Sequence, residues 1–177
     1  MKTTGIIRRI DDLGRIVIPK ELRRSLRIKN GDSLEIFVDV DDIILKKYSP
    51  MESIEDAAVK YVDSFNKVIK HSVIVTDKDK VIAASGLLKK KYLGKNINDF
   101  TERSIERRDS FVERQKNTFS FVQDVEDFGY YSFSSIVCNG DTIGSVIIIS
   151  VDSPILESEE KLAIILSKLL SGNFNNE

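Results

Sequence analysis

Apolar and polar positions over the first fifty residues alternate in short bursts separated by turn residues. Thr4 to Ile10 is β-branched, carries basic residues near its end and reads as a strand. Asp11-Asp12-Leu13-Gly14 is a turn signal, and Arg15 to Ile18 reads as a second strand. Pro19 ends that strand and suits the first turn of a helix over Lys20 to Arg27, with Leu22 and Leu26 on its apolar side. After Asn30-Gly31-Asp32, the alternation of Leu34, Ile36 and Val38 with Ser33, Glu35 and Phe37 predicts a third strand. Asp39 to Asp42 turns, Ile43 to Lys47 returns as a fourth strand, and Ser49-Pro50 closes the unit.

Four short strands and one short helix in so few residues bury too little apolar surface to be secure alone. No disulfide is available, because Cys138 is the single cysteine, and His71 is the single histidine, so paired-histidine zinc sites are excluded. Oligomerisation with strands paired between chains is the remaining remedy, so the unit is expected to be a homodimer through residues 1–50.

From Met51 the period changes. Met51, Ile54, Ala58, Tyr61, Phe65 and Val68 follow a 3-4 spacing that predicts a helix to Lys70. Two readings fit this seam: a helix facing its own core, or a self-association helix. Thereafter the pattern predicts a hairpin of Ser72 to Thr76 with Lys80 to Ala84, then a short helix and loop over Gly86 to Phe100. A helix over Thr101 to Arg114 and a strand over Phe119 to Val122 come next, followed by Tyr130 to Cys138 as a strand. Asn139-Gly140 is a hairpin signal, and Thr142 to Val151 is apolar enough to be the central strand of its sheet. Ser153 as N-cap and Pro154 at the first helical position predict a last helix stopped by Gly172. The layout is an α/β domain with a central antiparallel sheet of about five strands flanked by helices. The domains are therefore residues 1–50, a linking helix over 51–71, and 72–177.

Charge changes the picture of the first unit. The formal net charge of −1 hides nine Lys/Arg against three acids in residues 1–29, a local +6, followed by five acids and no Lys or Arg in residues 30–45. A segregated basic face supplies the field that phosphates feel, even in a neutral chain. Arg8, Arg9, Arg15, Arg23 and Arg24 are the candidate DNA-binding residues. Arg8 and Arg15 flank one loop, alternation sends Arg8 and Arg9 to opposite faces, and Arg23 and Arg24 share the polar side of the helix. A guanidinium fork suits phosphate and guanine alike. A helix-turn-helix has no room, since one short helix precedes residue 50.

Enzyme signals are poor: no Gly-rich phosphate loop, no Gly-x-Ser-x-Gly and no paired cysteines occur. Cys138 is expected to be a packed core residue, and the acid pairs Asp11-Asp12 and Asp41-Asp42 to cap turns. Neither catalysis nor a metal nor a cofactor is expected. The longest apolar run, Val146 to Ile149, is too short for a membrane span, and the start lacks a signal core, so a cytoplasmic location is expected.

The run Thr4-Gly5-Ile6-Ile7-Arg8-Arg9-Ile10-Asp11-Asp12-Leu13-Gly14-Arg15-Ile16-Val17-Ile18-Pro19 resembles the opening of AbrB-type transition-state regulators. The likeness continues through Glu21-Leu22-Arg23-Arg24, Leu26, Leu34-Glu35-Ile36 and Ile43 to Tyr48. It implies a dimeric swapped-hairpin β-barrel that binds double-stranded DNA, with contacting arginines at Arg8, Arg15, Arg23 and Arg24; position 9 is also basic. The whole chain resembles the sporulation regulators of that family. The patches His71-Ser72-Val73, Val137-Cys138-Asn139-Gly140-Asp141 and Ile143-Gly144 carry the second half of this likeness. It implies a GAF-like C-terminal domain for sensing or assembly, a role in forespore gene expression, and a homotetramer made by helices near 51–70 and 155–171. GAF-like domains often bind small molecules, so the resemblance leaves three readings of this domain's pocket, a small-molecule effector site, a vestigial site or a purely structural one, and no ligand signature chooses among them. Toxin–antitoxin antidotes share the swapped-hairpin fold and are the alternative; they end in a disordered toxin-binding tail, whereas residues 72–177 read as folded.

Overall fold

A computed structural model gives the architecture and describes residues 5–174. Lys2 of the basic stretch and Thr4 of the opening strand lie outside these residues. The chain divides into two compact units, Met1–Tyr48 and Ser49–Glu177.

The first unit contains helix α1 (Lys20–Ser25) and the antiparallel hairpin of β1 (Leu34–Asp39) with β2 (Asp42–Lys47), in register from Leu34 opposite Lys47 to Asp39 opposite Asp42. The helix is shorter than the pattern predicts, because Arg27 adopts a positive φ of 54° just after it. The other two predicted strands are corrected: residues 5–10 and 15–18 are not strands in the single chain. A strand exists only beside a partner, and sequence alternation cannot say which chain supplies it.

Almost nothing in this unit is buried. Fifteen large apolar side chains are exposed among residues 5–48, from Ile6 to Tyr48, against eight in the whole of 49–174. Fully burying such a side chain is worth roughly 1.5–3 kcal/mol. The single chain therefore leaves unused most of the apolar surface that its sequence pattern prepares for burial.

The second unit opens with a 3₁₀ turn (Pro50–Ile54) that runs into α2 (Glu55–Ile69), where a single helix is expected. Lys70 ends it in the left-handed conformation. Strands β3 (Ser72–Thr76), β4 (Val81–Ala84), β5 (Ser110–Phe119), β6 (Asp127–Cys138) and β7 (Asp141–Ser150) make one antiparallel sheet in the order β4-β3-β7-β6-β5. The apolar strand β7 lies in its centre, as its composition predicts. The tight turn at Asn139-Gly140 has both residues at positive φ, which suits the twist of the flanking strands.

Helices cover both faces. On one, α2 and α5 (Glu157–Gly172) pack Ala58, Val62, Ala163 and Leu166 against Val73, Val146 and Ile148. On the other, α3 (Lys89–Tyr92) and α4 (Asp99–Glu106) cover Ile74, Phe133, Ile147 and Ile149. Cys138 is buried in the first of these cores.

Three expectations for this unit are corrected. The helix predicted over Thr101–Arg114 starts earlier, capped by the Asn98 side chain at the Thr101 N–H (3.0 Å), and stops at Glu106; Ser110 onward is β5. As an edge strand β5 is charged, and its polar residues imitate the polar side of a helix. The strand predicted over Phe119–Val122 is the end of β5 followed by an isolated bridge from Val122 to Ile97. The last helix is not capped by Ser153, whose N–H goes to Ser150 Oγ at 3.2 Å. It begins at Glu157, where the Glu159 carboxylate accepts the Leu156 N–H at 2.8 Å.

Candidate nucleic-acid interface

The basic residues of the first unit sit on three local frames. The loop Asp11–Arg15 is closed by its own backbone, with the Asp11 N–H donating to Arg15 O (3.1 Å) and the Gly14 N–H to Asp11 O (2.9 Å). The Asp11 carboxylate fills the turn. Its Oδ1 accepts the N–H of Leu13 (3.0 Å) and of Arg15 (2.8 Å), and its Oδ2 accepts Arg15 Nε (2.7 Å). Arg15 is thereby aimed by a neighbour four residues back while its side chain stays largely exposed.

Arg8 borders an apolar groove of about 490 Å³ walled by Ile6, Ile16, Ile18, Leu22 and Leu45. Its Nη1 reaches only the adjacent Ile7 carbonyl, at 3.4 Å. Arg9 is exposed, and since this segment is not a strand the single chain does not assign it and Arg8 to opposite sheet faces. On α1, Arg23 is half-buried and its Nη1 donates to Asn30 Oδ1 (3.2 Å), while its Nε is buried without a hydrogen-bond partner. Arg24, next to it, is exposed.

Each of Arg8, Arg15 and Arg23 is thus held by its own local partner rather than by another arginine. Two supporting residues escaped the sequence reading. Asn30 appears in the chain only as a turn signal, yet it orients Arg23. Lys47, at the far end of the unit, pairs with Asp32 at 3.2 Å and donates to Arg27 O at 3.1 Å, tying β2 to the segment after α1. The pairing of Leu34 with Lys47 brings them together, and nothing local in the sequence signals it.

The C-terminal unit carries arginines of its own, with Arg103 on the last turn of α4 and Arg107 and Arg108 on the turn that follows it. Among the described residues no group of His, Cys, Asp and Glu could hold a metal ion, and no helix is long and apolar enough to cross a membrane. Its buried ionisable groups serve structure. The Tyr92 hydroxyl donates to Asp127 Oδ2 (2.7 Å), and Lys91 Nζ reaches Asp127 Oδ1 (2.6 Å), which clamps α3 over the start of β6. Burial, and after it the Asp127 carboxylate, push the Tyr92 phenol far above its ordinary range.

A basic N-terminal unit followed in the chain by a helix-flanked antiparallel α/β domain defines the class: an AbrB-type unit and a domain of GAF-like fold. The family described as stage V sporulation protein T C-terminal, transcription factor, matches residues 53–175, and the chain belongs to that family. It is 50% identical over 163 residues to stage V sporulation protein T of Bacillus subtilis (strain 168), covering 91% of this chain and 92% of that protein. The transition state regulatory protein AbrB of the same organism is 64% identical over 50 residues, 28% of this chain and 52% of AbrB. Residues 7–53 also match the family described as antidote-toxin recognition MazE, bacterial antitoxin. For the second unit, the GAF domain of an Acinetobacter phosphoenolpyruvate-protein phosphotransferase superposes with a TM-score of 0.56 over 72% of this chain and 82% of that one. At 13% identity that likeness shows the fold alone.

Proposed function

We propose that the protein is a sequence-specific DNA-binding regulator of sporulation gene expression. It acts in the cytoplasm as a dimer formed through residues 1–50. The observation that carries the reading is the exposure of the apolar side chains of that unit beside its loop- and helix-borne arginines. A second copy placing its strands in the groove beside Arg8 covers those side chains and brings two sets of arginines to one face. Arg8, Arg9, Arg15, Arg23 and Arg24 are the contacting residues, Arg15 and Arg23 preset by Asp11 and Asn30.

The linking helix and the C-terminal domain join dimers into a tetramer. Val68 on α2 and Ile165 and Leu169 on α5 support this, since all three are exposed on helices that otherwise face the core. The same domain receives a small-molecule effector and performs no catalysis. The antitoxin-like match of residues 7–53 reflects a shared N-terminal fold; the whole-length relative and the packed second unit favour a regulator.

Arg24→Ala is the cleanest test, because Arg24 is exposed and Arg23 is half-buried. It weakens operator binding in a salt-titrated gel shift and leaves the mass in light scattering unchanged. If the eight guanidiniums of Arg8, Arg15, Arg23 and Arg24 in a dimer all met phosphates, the slope of log affinity against log salt would be roughly −7. Unchanged affinity in Arg24→Ala, with no salt dependence in the parent, would sink the assignment.

A further inference from the structure

The C-terminal unit has an open cleft of about 440 Å³ between α4 and the outer strands β5 and β6. That volume lies in the range of small-molecule sites, roughly 300–1,000 Å³. The space nearer the middle of the sheet is taken: Tyr92, Ile105, Phe121 and Phe133 are buried there. The cleft is therefore at the margin of the domain, over the edge strand, and its lining joins the exposed Phe100, Arg103 and Arg107 to Phe111 and Tyr131, which pack against the core.

Two chemistries meet in it. The first is a stack of rings. Phe111 lies parallel to Phe133, with centroids 5.0 Å apart and 7° between the planes, and Phe100 meets Phe111 edge-on at 6.0 Å. Phe100 is nonetheless 47% exposed, so a ring fixed by its neighbours still offers free surface to the cleft. Tyr131 of β6 extends the aromatic lining.

The second is positive charge on the wall. Arg103 and Arg107 are four residues apart, hence on one side of α4 and its cap. Arg103 Nε donates to Asp99 O at 3.1 Å, which orients the guanidinium and leaves its Nη edge uncommitted. Arg107 is exposed and pairs with no carboxylate among the described residues. A helix C-terminus would ordinarily repel an anion, but three of the last four carbonyls of α4 accept hydrogen bonds here. Arg103 O, Ile105 O and Ser104 O accept the N–H groups of Arg107, Arg108 and Asp109, each at 3.0 Å. Two guanidiniums against the lone carboxylate of Asp109 leave the lining net positive.

We propose that this cleft binds a planar aromatic anion. The ring lies against Phe100 and Phe111, and the carboxylate or phosphate meets Arg103 and Arg107. The assignment rests on the reading of this domain as the effector-binding half, and it names the place and the ligand class. Stacking on the ring and a charge-assisted pair to each guanidinium are the two sources of affinity.

Calorimetry on the full-length protein with naphthyl phosphate as probe tests it. Naphthoate in a parallel titration decides between phosphate and carboxylate as the preferred anion; binding of either supports the cleft. Naphthol and inorganic phosphate, which each supply one half of the chemistry, bind at least about tenfold more weakly. Arg107→Ala and Phe100→Ala each weaken naphthyl phosphate by about tenfold, with gel-shift affinity for DNA unchanged as the control for folding. No binding of either aromatic anion, or binding that both variants leave intact, overturns the proposal; so does inorganic phosphate binding as well as naphthyl phosphate. A compound from a metabolite mixture that raises the melting temperature of the parent and of the double variant equally overturns the cleft while leaving the effector reading in place.

Discussion

Asp11 and Arg15 close the loop between the two extended segments of the N-terminal unit on a single carboxylate. Asp11 Oδ1 accepts the Arg15 backbone N–H at 2.8 Å, and Oδ2 accepts the Arg15 Nε at 2.7 Å. One side chain thus sets both the turn of the backbone and the direction of the guanidinium. The Arg15 backbone N–H, and after it the guanidinium, hold the Asp11 carboxyl below the usual carboxylate range.

Counting charge alone, removing Asp11 should strengthen binding to a polyanion. The geometry predicts the reverse for Asp11→Ala. The loop loses the acceptor for three donors, and DNA affinity falls by about threefold or more because Arg15 must be ordered on binding. Asp11→Asn keeps an oxygen for the backbone N–H groups and retains affinity. Gel shifts of the three proteins at one salt concentration decide between the two accounts. The folded pKa is depressed, so the contribution of Asp11 to loop order is present above the ordinary carboxylate range and lost as the pH falls below it. The amide signals of Leu13 and Arg15 therefore stay fixed down to about pH 5 and move only in stronger acid.

Asp77 behaves oppositely. It is buried at the end of β3, and its Oδ1 accepts the N–H groups of Asp79 and Lys80, both at 2.7 Å, to form the β3–β4 turn. Burial raises its pKa despite those hydrogen bonds. A raised folded pKa favours the native state at low pH, and that gain is lost as the pH rises through it. Asp77→Asn keeps the acceptor and removes the buried charge. It is expected to equal or exceed the parent in urea unfolding at neutral pH, with the difference shrinking as the solution is made acid.

Gly144 lies where β7 passes β3. A Cβ built there would sit 2.0 Å from the carbonyl oxygen of Thr76, a backbone atom that cannot rotate away. Gly144→Ala should cost about 3 kcal/mol or more, seen as an early melting transition of the C-terminal unit in calorimetry.

Val68 is 75% exposed on α2, and Leu169 on α5 is also exposed, so neither is needed by the core. Val68→Glu with Leu169→Glu should alter the stability of the domain by no more than about 0.5 kcal/mol per site. The double variant should sediment with half the mass of the parent and still retard DNA. A full-mass species would show that the dimers join elsewhere.

The seam from Met51 to Val68 shows how far periodicity carries. Met51, Ile54 and Ala58 are buried, so the first half is a core-facing helix, and Val68 at the other end is open to solvent. The core-facing reading therefore describes the first half alone, because a spacing of three and four marks a side of a helix and not what covers that side. Arg15 and Arg23 were legible as basic positions, whereas Asp11 and Asn30 looked like turn chemistry and only the contacts make them positioning groups. The Phe100–Arg107 cleft was illegible: its residues fall partly in a predicted helix that in the structure breaks into α4 and β5.

The sequence by itself determined the small basic unit before Pro50, its excess of apolar positions over what one chain can bury, the central place of β7 and the turn at Asn139-Gly140. These are matters of local period, turn chemistry and charge, each readable within a few residues. Only the tertiary structure decided which segments become strands and which face of α2 is covered. It also decided where the last helix begins, and it brought Phe100 and Arg107 beside Phe111 and Tyr131. Those outcomes depend on a partner distant in sequence. A strand needs a ladder and a helix face needs a neighbour, and neither is encoded in the residues of the element itself.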